Sequence, residues 1–305
     1  QDISAAIASL GNGGGTCVLA PGTWTLSRAV LLRASNTTLL GSGPGTILVA
    51  HASNSGPMLV ADGISNIVIS GLNVTYPSAP NDADTSKIGI HISDRSAYSN
   101  VRISDCILKN CHTGIRVEAD TSNAKASKIL VVKNAIQGCI TGIDLKTGSA
   151  GTRYLSQVVV ADNVIDYTGG SAISVGQTVD LVNTENIGRR AGGGGQSTGV
   201  AGAESAVLDR SLRFTACEGN VFYNPGGAGG SNQLLVVRRS GAGSGADGQF
   251  RANTGAKFWY FGSESSAFTA DVELLTGPMD TQACEELRFM LIEGNGSNGG
   301  DALDG

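Results

Sequence analysis

Short runs in which apolar and polar residues alternate follow one another along the chain, with small turns between them. The runs "GIHIS" (Gly89–Ser93), "GIRVE" (Gly114–Glu118) and "GIDLK" (Gly142–Lys146) align, and "SAISV" (Ser171–Val175) follows in the same slot. Their starts lie 25, 28 and 29 residues apart. Between them runs a second family, "NIVIS", "NVRIS", "KILVV" and "QVVVA", starting at Asn66, Asn100, Lys128 and Gln157. A third family, "LNVTY", "ILKNC", "AIQGC" and "VIDYT", follows each of these after one or two residues. Alternation with period two over so few residues marks half-buried strands. Each period therefore holds three of them.

Three short strands in so small a period leave no room for the helical crossovers that parallel neighbours in an open sheet require. They fit one coil of a parallel β-helix, in which every strand pairs with its counterpart one coil later. The junction between second and third strands points the same way, because Gly71, Cys106, Asn134 and Asn163 share one slot there. Small residues and asparagine suit a sharp turn with positive φ, and stacked asparagines can bond to one another along the axis. A β-sandwich is the alternative, but its strands have no reason to recur in a three-part frame. The expected fold is all-β: a right-handed, single-stranded parallel β-helix with a short N-terminal capping helix. Ile3, Ala6, Ile7 and Leu10 fall on one face of that helix, which would cover the open end of the coil stack.

The stretches "DISAAIASLGNGGGTCVLAPGTWTL" (Asp2–Leu26) and "NTTLLGSGPGTIL" (Asn36–Leu48) resemble the start of pectate-lyase-like right-handed β-helix domains. Those domains begin with a short amphipathic helix, a Gly-rich turn, a strand ending in Pro-Gly-Thr-aromatic, and an L-x-G-x-G turn. The resemblance runs from about residue 2 to residue 176. It implies the fold, and for function it implies a range: polysaccharide lyases, glycoside hydrolases, uronate epimerases, phage tail-spike proteins and non-catalytic surface proteins. In the polysaccharide-active members the reaction usually takes place on an outer sheet face flanked by long loops.

Organisation along the 305 residues is expected as follows: capping helix and Gly-rich turn at 1–15, regular coils at 16–186, a Gly-rich insertion at 187–204, and an irregular continuation at 205–305. A separate β domain in that last part is the alternative. The opening at Gln1 is read as a removed leader or a piece of something longer, and the ending "GGDALDG" favours the second idea.

Composition narrows the classes. With 44 glycines, 15% charged and 5% aromatic residues, and 41% hydrophobic residues, the chain is too apolar for disorder and poor in helix formers. A net charge of −5 without a basic block gives nucleic acid no footing. No apolar run approaches the roughly 18 residues of a membrane span. Six cysteines without a Cys-x-x-Cys are compatible with an oxidising, extracellular compartment or a surface appendage.

Candidate chemistry follows from the alternation. If Ile and its i+2 partner point inward on the Gly-Ile strands (hereafter the first sheet), the residues between them point out. One outward column then holds Leu31, Leu59, His91, Arg116, Asp144 and Ser174, and a second holds Arg33, Ala61, Ser93, Glu118, Lys146 and Gly176. With coils about 4.8 Å apart, His91, Arg116, Glu118, Asp144 and Lys146 gather into one polar patch, the candidate catalytic set. On a uronate, Arg116 or Lys146 would neutralise the sugar carboxylate while His91 or Lys146 took the neighbouring proton, giving elimination or epimerisation. For hydrolysis, Glu118 and Asp144 are diagonal neighbours at a separation suited to inverting glycosidases. The bland reading stands beside these: Arg116 over Asp144 and Glu118 over Lys146 are matched pairs that would stabilise a solvated sheet face without catalysis. No Asp-Asp pair of polygalacturonase-like hydrolases and no Asp-Pro-His of mannuronan epimerases accompanies them.

Asp82, Asp84, Asp94 and Asp120 are candidate calcium ligands, with acidic turns as the plain alternative. Cys111 and Cys139 share a slot one coil apart, as a disulfide or, preferably, as stacked thiols in the core. Trp24, Trp259 and Tyr260 serve either a sugar ring or core and cap packing. Two functions remain open: a secreted protein that binds, and cleaves or epimerises, an acidic polysaccharide on the first sheet face; or a non-enzymatic adhesin, tail-spike or filament component that self-associates. The expected partners are a glycan or a larger assembly.

Overall fold

The computed structural model describes residues 3–81, 83–119, 125–147, 154–166 and 168, then shorter stretches as far as residue 291. Strands in it stack into three parallel sheets of ten, eight and ten strands, each strand hydrogen-bonded to its counterpart in the next coil. The first sheet runs from Val30–Leu32 through Leu59–Asp62, Ile88–Ser93, Thr113–Ala119, Thr141–Thr147 and Ile173–Val175. The second begins at Gly15–Leu19 and the third at Gly22–Leu26. Strands as late as Arg288–Leu291 pair within the same sheets. This is the parallel β-helix, with one short helix, Ile3–Ala8, at its N-terminal end.

Register is set by inward aliphatic side chains that lie directly over one another. Ile90, Ile115, Ile143 and Ile173 form one inward column, and Ile92, Val117, Leu145 and Val175 the next, all at 0–1% exposure. The second sheet contributes Ile69, Ile103, Val131 and Val160, and the third Leu48, Val74, Leu108, Ile136 and Ile165. Each such side chain contributes about 1.5–3 kcal/mol by leaving water. A slip of one residue would turn every column to solvent, so burial and register are one constraint. Ile3 and Ile7 of the helix are buried against the strand Val30–Leu32, which closes part of the stack's end.

The corner between second and third sheets carries a ladder of buried asparagines. Asn134 Nδ2 donates to Asn163 Oδ1 at 3.0 Å, and Asn163 Nδ2 donates to Asn186 Oδ1 at 2.9 Å. The same oxygens accept from the backbone N–H groups of Asn134 and Asn163, and each amide also donates to a carbonyl of the coil before: Ile103, Val131 and Val160. Cys106 occupies the next step, its backbone N–H donating to Asn134 Oδ1. One detail of the expected slot changes. Positive φ belongs to the preceding residue in each coil: Gly71, Asp105, Lys133 and Asp162. Gly71 thus stands one position before the ladder slot, which Leu72 fills in that coil. A second, exposed ladder joins Asn36, Asn66 and Asn100, each with positive φ, at the start of the second-sheet strands.

Cys17, Cys106, Cys111 and Cys139 are buried free thiols, so Cys111 and Cys139 stack as thiols. Burial, with the neighbouring Cys139 thiol, holds Cys111 well above the usual thiol range.

Candidate functional site

The strands Ile88–Ser93, Thr113–Ala119 and Thr141–Thr147 bring the five expected residues together on the outside of the first sheet. Arg116 is in register with His91 on one side and Asp144 on the other, and Glu118 is in register with Lys146. The earlier part of the column is displaced by one residue from the expected one. Val60, not Leu59, stands beside His91, and Asp62, not Ala61, stands beside Ser93. The run Leu59-Val60-Ala61 is apolar at both parities, so alternation alone does not say which residues turn inward. Leu59 and Ala61 do, at 0% exposure.

Side-chain contacts join the five residues into one chain. His91 Nε2 lies 2.9 Å from Glu118 Oε2. Glu118 Oε1 faces Lys146 Nζ at 3.6 Å and Arg116 Nη1 at 3.9 Å. Arg116 Nε donates to Asp144 Oδ2 at 2.9 Å. Two further residues steady the cluster. Thr113 Oγ1 accepts from Arg116 Nη2 at 3.2 Å, and the Tyr98 hydroxyl donates to the Glu118 carbonyl at 2.6 Å. Thr113 had a signal in the sequence, because "CHTGI" and "CITGI" repeat it in register. Tyr98 had none, since it belongs to a strand of the second sheet.

Shelter distinguishes this patch from the other outward surfaces. The side chains of His91, Glu118, Arg116 and Asp144 keep only 13–17% of their surface in solvent, and Lys146 keeps 44%. Outward residues of neighbouring coils on the other two sheets, Arg102, Lys109, Lys128 and Gln137 among them, are exposed. The two carboxylates are pushed apart. Burial drives Glu118 up, but the His91 contact and the charges of His91, Lys146 and Arg116 outweigh it, and the carboxyl is held below its ordinary value. Burial also drives Asp144 up, and there it prevails over the Arg116 charge and hydrogen bond, with Glu118 adding to the rise. Such opposed neighbours can divide the roles of proton holder and ionised partner.

A smaller network sits one coil earlier. Ser93 Oγ donates to Asp62 Oδ1 at 2.7 Å, and Arg95 reaches Asp62 through its Nε at 3.3 Å and its backbone N–H at 3.1 Å.

Among the described residues, no group of three His, Cys, Asp or Glu side chains is arranged to hold a metal ion. Asp84 pairs with Lys87 at 2.9 Å and accepts from the Asn81 N–H, and Asp94 is buried. Asp82 and Asp120 lie outside the described residues, as do the side chains of Trp259 and Tyr260. Trp24 is half-buried and packs against the core. No helix among the described residues is long and apolar enough to cross a membrane.

No known family and no curated protein matches the sequence. Solved structures do match the fold. The enzymatically active domain of tailspike protein 2 from bacteriophage CBA120 superposes with a TM-score of 0.57 at 11% identity, over 89% of this chain and 44% of that one. ORF18 of Geobacillus virus E2 gives 0.53 at 14% identity, over 90% of this chain and 57% of that one. The alginate lyase from Paenibacillus sp. str. FPU-7 gives 0.53 at 17% identity, over 87% and 97%. The chain thus spans about half the length of the two viral proteins. At such identities the likeness is one of fold, and the fold is that of the pectate-lyase-like parallel β-helix proteins.

Proposed function

We propose that this chain engages an acidic polysaccharide on the outer face of its first sheet, at His91, Arg116, Glu118, Asp144 and Lys146. The observation that carries the reading is the shelter of that patch. Paired charges that served only a solvated face would lie as open as Arg102 or Lys128, whereas four of these five are largely withdrawn from water. Lys146, more open than the rest, is the cation that meets an incoming sugar carboxylate, with Arg116 behind it. Among the solved structures of like fold, one is named an alginate lyase and another an enzymatically active tailspike domain, which lends support to a glycan as partner. Such a protein works outside the cell or on a surface appendage.

A second reading adds hydrolysis, and the opposed shifts of Glu118 and Asp144 favour it. Asp144, raised by burial, holds the proton for the leaving oxygen; Glu118, kept ionised, activates water. Elimination is less well served, because His91 Nε2 is engaged by Glu118.

The test is incubation with pectate, alginate and chondroitin, following retention on each polymer, absorbance of unsaturated uronates and chain length. Binding to at least one polymer, weakened by Lys146→Ala and by Arg116→Ala, is expected. Equal binding by both variants would remove this face as the site. Retention without turnover would leave binding and discard hydrolysis.

A further inference from the structure

The first coil ends the stack, and its third-sheet strand Gly22–Leu26 has a partner on one side only, Thr46–Ala50. The capping helix packs over the first-sheet strand Val30–Leu32, not over this edge. Between helix and edge strand lies a cavity of about 760 Å³, bounded by Ile3 and Ser4 on one side and residues 22–28 on the other. That volume is within the range of small-ligand sites, about 300–1,000 Å³.

Trp24 gives the cavity its character. In register it stands over Leu48, which is fully buried, so one side of the indole closes the core while the cavity borders it at the stack's end. Its Nε1 donates to the Ala20 carbonyl at 3.4 Å, which fixes the ring's edge. Around it are the hydroxyls of Ser4, Thr23, Thr25 and Ser27 and the guanidinium of Arg28. An aromatic plane inside a rim of hydroxyls and one cation matches a pyranose ring, whose C–H face is apolar and whose edge carries hydroxyl and carboxyl groups. A peptide added to the open strand edge would call for an apolar or backbone-lined groove, and this lining is mostly polar.

Position ties the cavity to the cluster already described. Val30, which lines it, begins the first sheet, and the His91 strand lies two strands further on, about 10 Å along the axis. The Lys146 strand lies two strands beyond that, about 19 Å from Val30. One chain of sugars along this face would reach both.

We propose that the N-terminal cavity is a terminal saccharide subsite, in which Trp24 stacks on a hexose or hexuronate ring of the polysaccharide that the first-sheet cluster holds. It rests on the glycan reading above. Calorimetric titration with oligogalacturonates and oligoalginates, as dimers and octamers, tests it on the folded chain and on Trp24→Leu, on the double variant Thr23→Val/Thr25→Val, and on Arg116→Ala. The expected result is an octamer affinity reduced about tenfold by Trp24→Leu, with the dimer's affinity for the cluster unchanged. Arg116→Ala is expected to weaken both lengths. The double Thr variant is expected to move with Trp24→Leu, and it carries the test if the Leu variant does not fold. Octamer binding indifferent to both cavity variants but lost with Arg116→Ala overturns this inference and leaves the glycan reading standing. Loss with Trp24→Leu and none with Arg116→Ala does the reverse. A concentration-dependent dimer of the wild type, abolished by Trp24→Leu, would make the cavity an end-on contact between copies and overturn the subsite.

Discussion

Replacing Asn163 by Ala should be among the most damaging single changes in the described coils. Its Oδ1 accepts from the Asn134 N–H and from Asn134 Nδ2, both at 3.0 Å, and its Nδ2 donates to the Val131 carbonyl and to Asn186 Oδ1, both at 2.9 Å. The residue is fully buried, so water does not replace these partners. Four hydrogen bonds at about 1 kcal/mol each give a floor of about 4 kcal/mol, and the groups left unpaired in the core raise it. Against a total stability of about 5–15 kcal/mol that is severe. The control is Asn66→Gly in the exposed ladder. It also breaks two amide contacts, but water replaces them and glycine tolerates the φ of 59°. Its cost should stay near or below about 1 kcal/mol. Urea unfolding followed by circular dichroism measures both from the midpoint at unchanged slope. Costs within about 1 kcal/mol of each other would refute the view that the buried ladder holds the corner.

Gly114→Ala would put a Cβ 2.7 Å from the Gly142 carbonyl oxygen and 2.9 Å from Ile136 Cγ2, and should cost about 1–3 kcal/mol, whereas Gly13→Ala, with nothing within 4 Å, should cost less than about 0.5; urea midpoints decide. The two site carboxylates should show opposite pH signatures. Glu118, held low in the fold, adds stability at neutral pH that is lost as pH falls below about 4, so the deficit of Glu118→Gln should shrink on acidification. Asp144, held high, binds its proton more readily folded than unfolded, so wild type should lose ground to Asp144→Asn as pH rises above about 4; parallel slopes from pH 3 to 7 would contradict both assignments. Burial pushes the Cys106 thiol up to about 12 and Cys111 well above its usual range. Maleimide at pH 8, mapped by mass spectrometry, should therefore label Cys106, Cys111 and Cys139 only in denaturant, and native labelling would contradict the packing.

The coil was legible in the sequence because inward positions in regular coils are single-minded. "GIRVE" and "GIDLK" alternate without ambiguity, and their register follows at once, with Arg116 over Asp144 and Glu118 over Lys146. Where aliphatics fill both parities, as in Leu59-Val60-Ala61, alternation loses its meaning and the outward column slips by one. The turn slot slipped for a related reason: Gly71 suits positive φ, Asn134 suits a ladder, and the two demands fall on adjacent residues. Of the candidate site, the five residues and their neighbours could be read from spacing. Their shelter could not, because it depends on what surrounds the sheet face, and neither could the Tyr98 contact from another sheet. The contest between Arg116 and burial over Asp144 likewise needed three-dimensional surroundings, since a paired carboxylate on an open strand would stay ionised.

The central claim is that the sheltered cluster meets a glycan, and the direct measurement is a crystal structure of the chain with a bound octasaccharide of galacturonate or alginate. The account predicts a sugar ring against the strands Ile88–Ser93, Thr113–Ala119 and Thr141–Thr147, with a carboxylate in hydrogen-bond contact with Lys146 or Arg116. A saccharide bound on the second or third sheet, with the His91–Glu118 and Arg116–Asp144 pairs untouched, would contradict it.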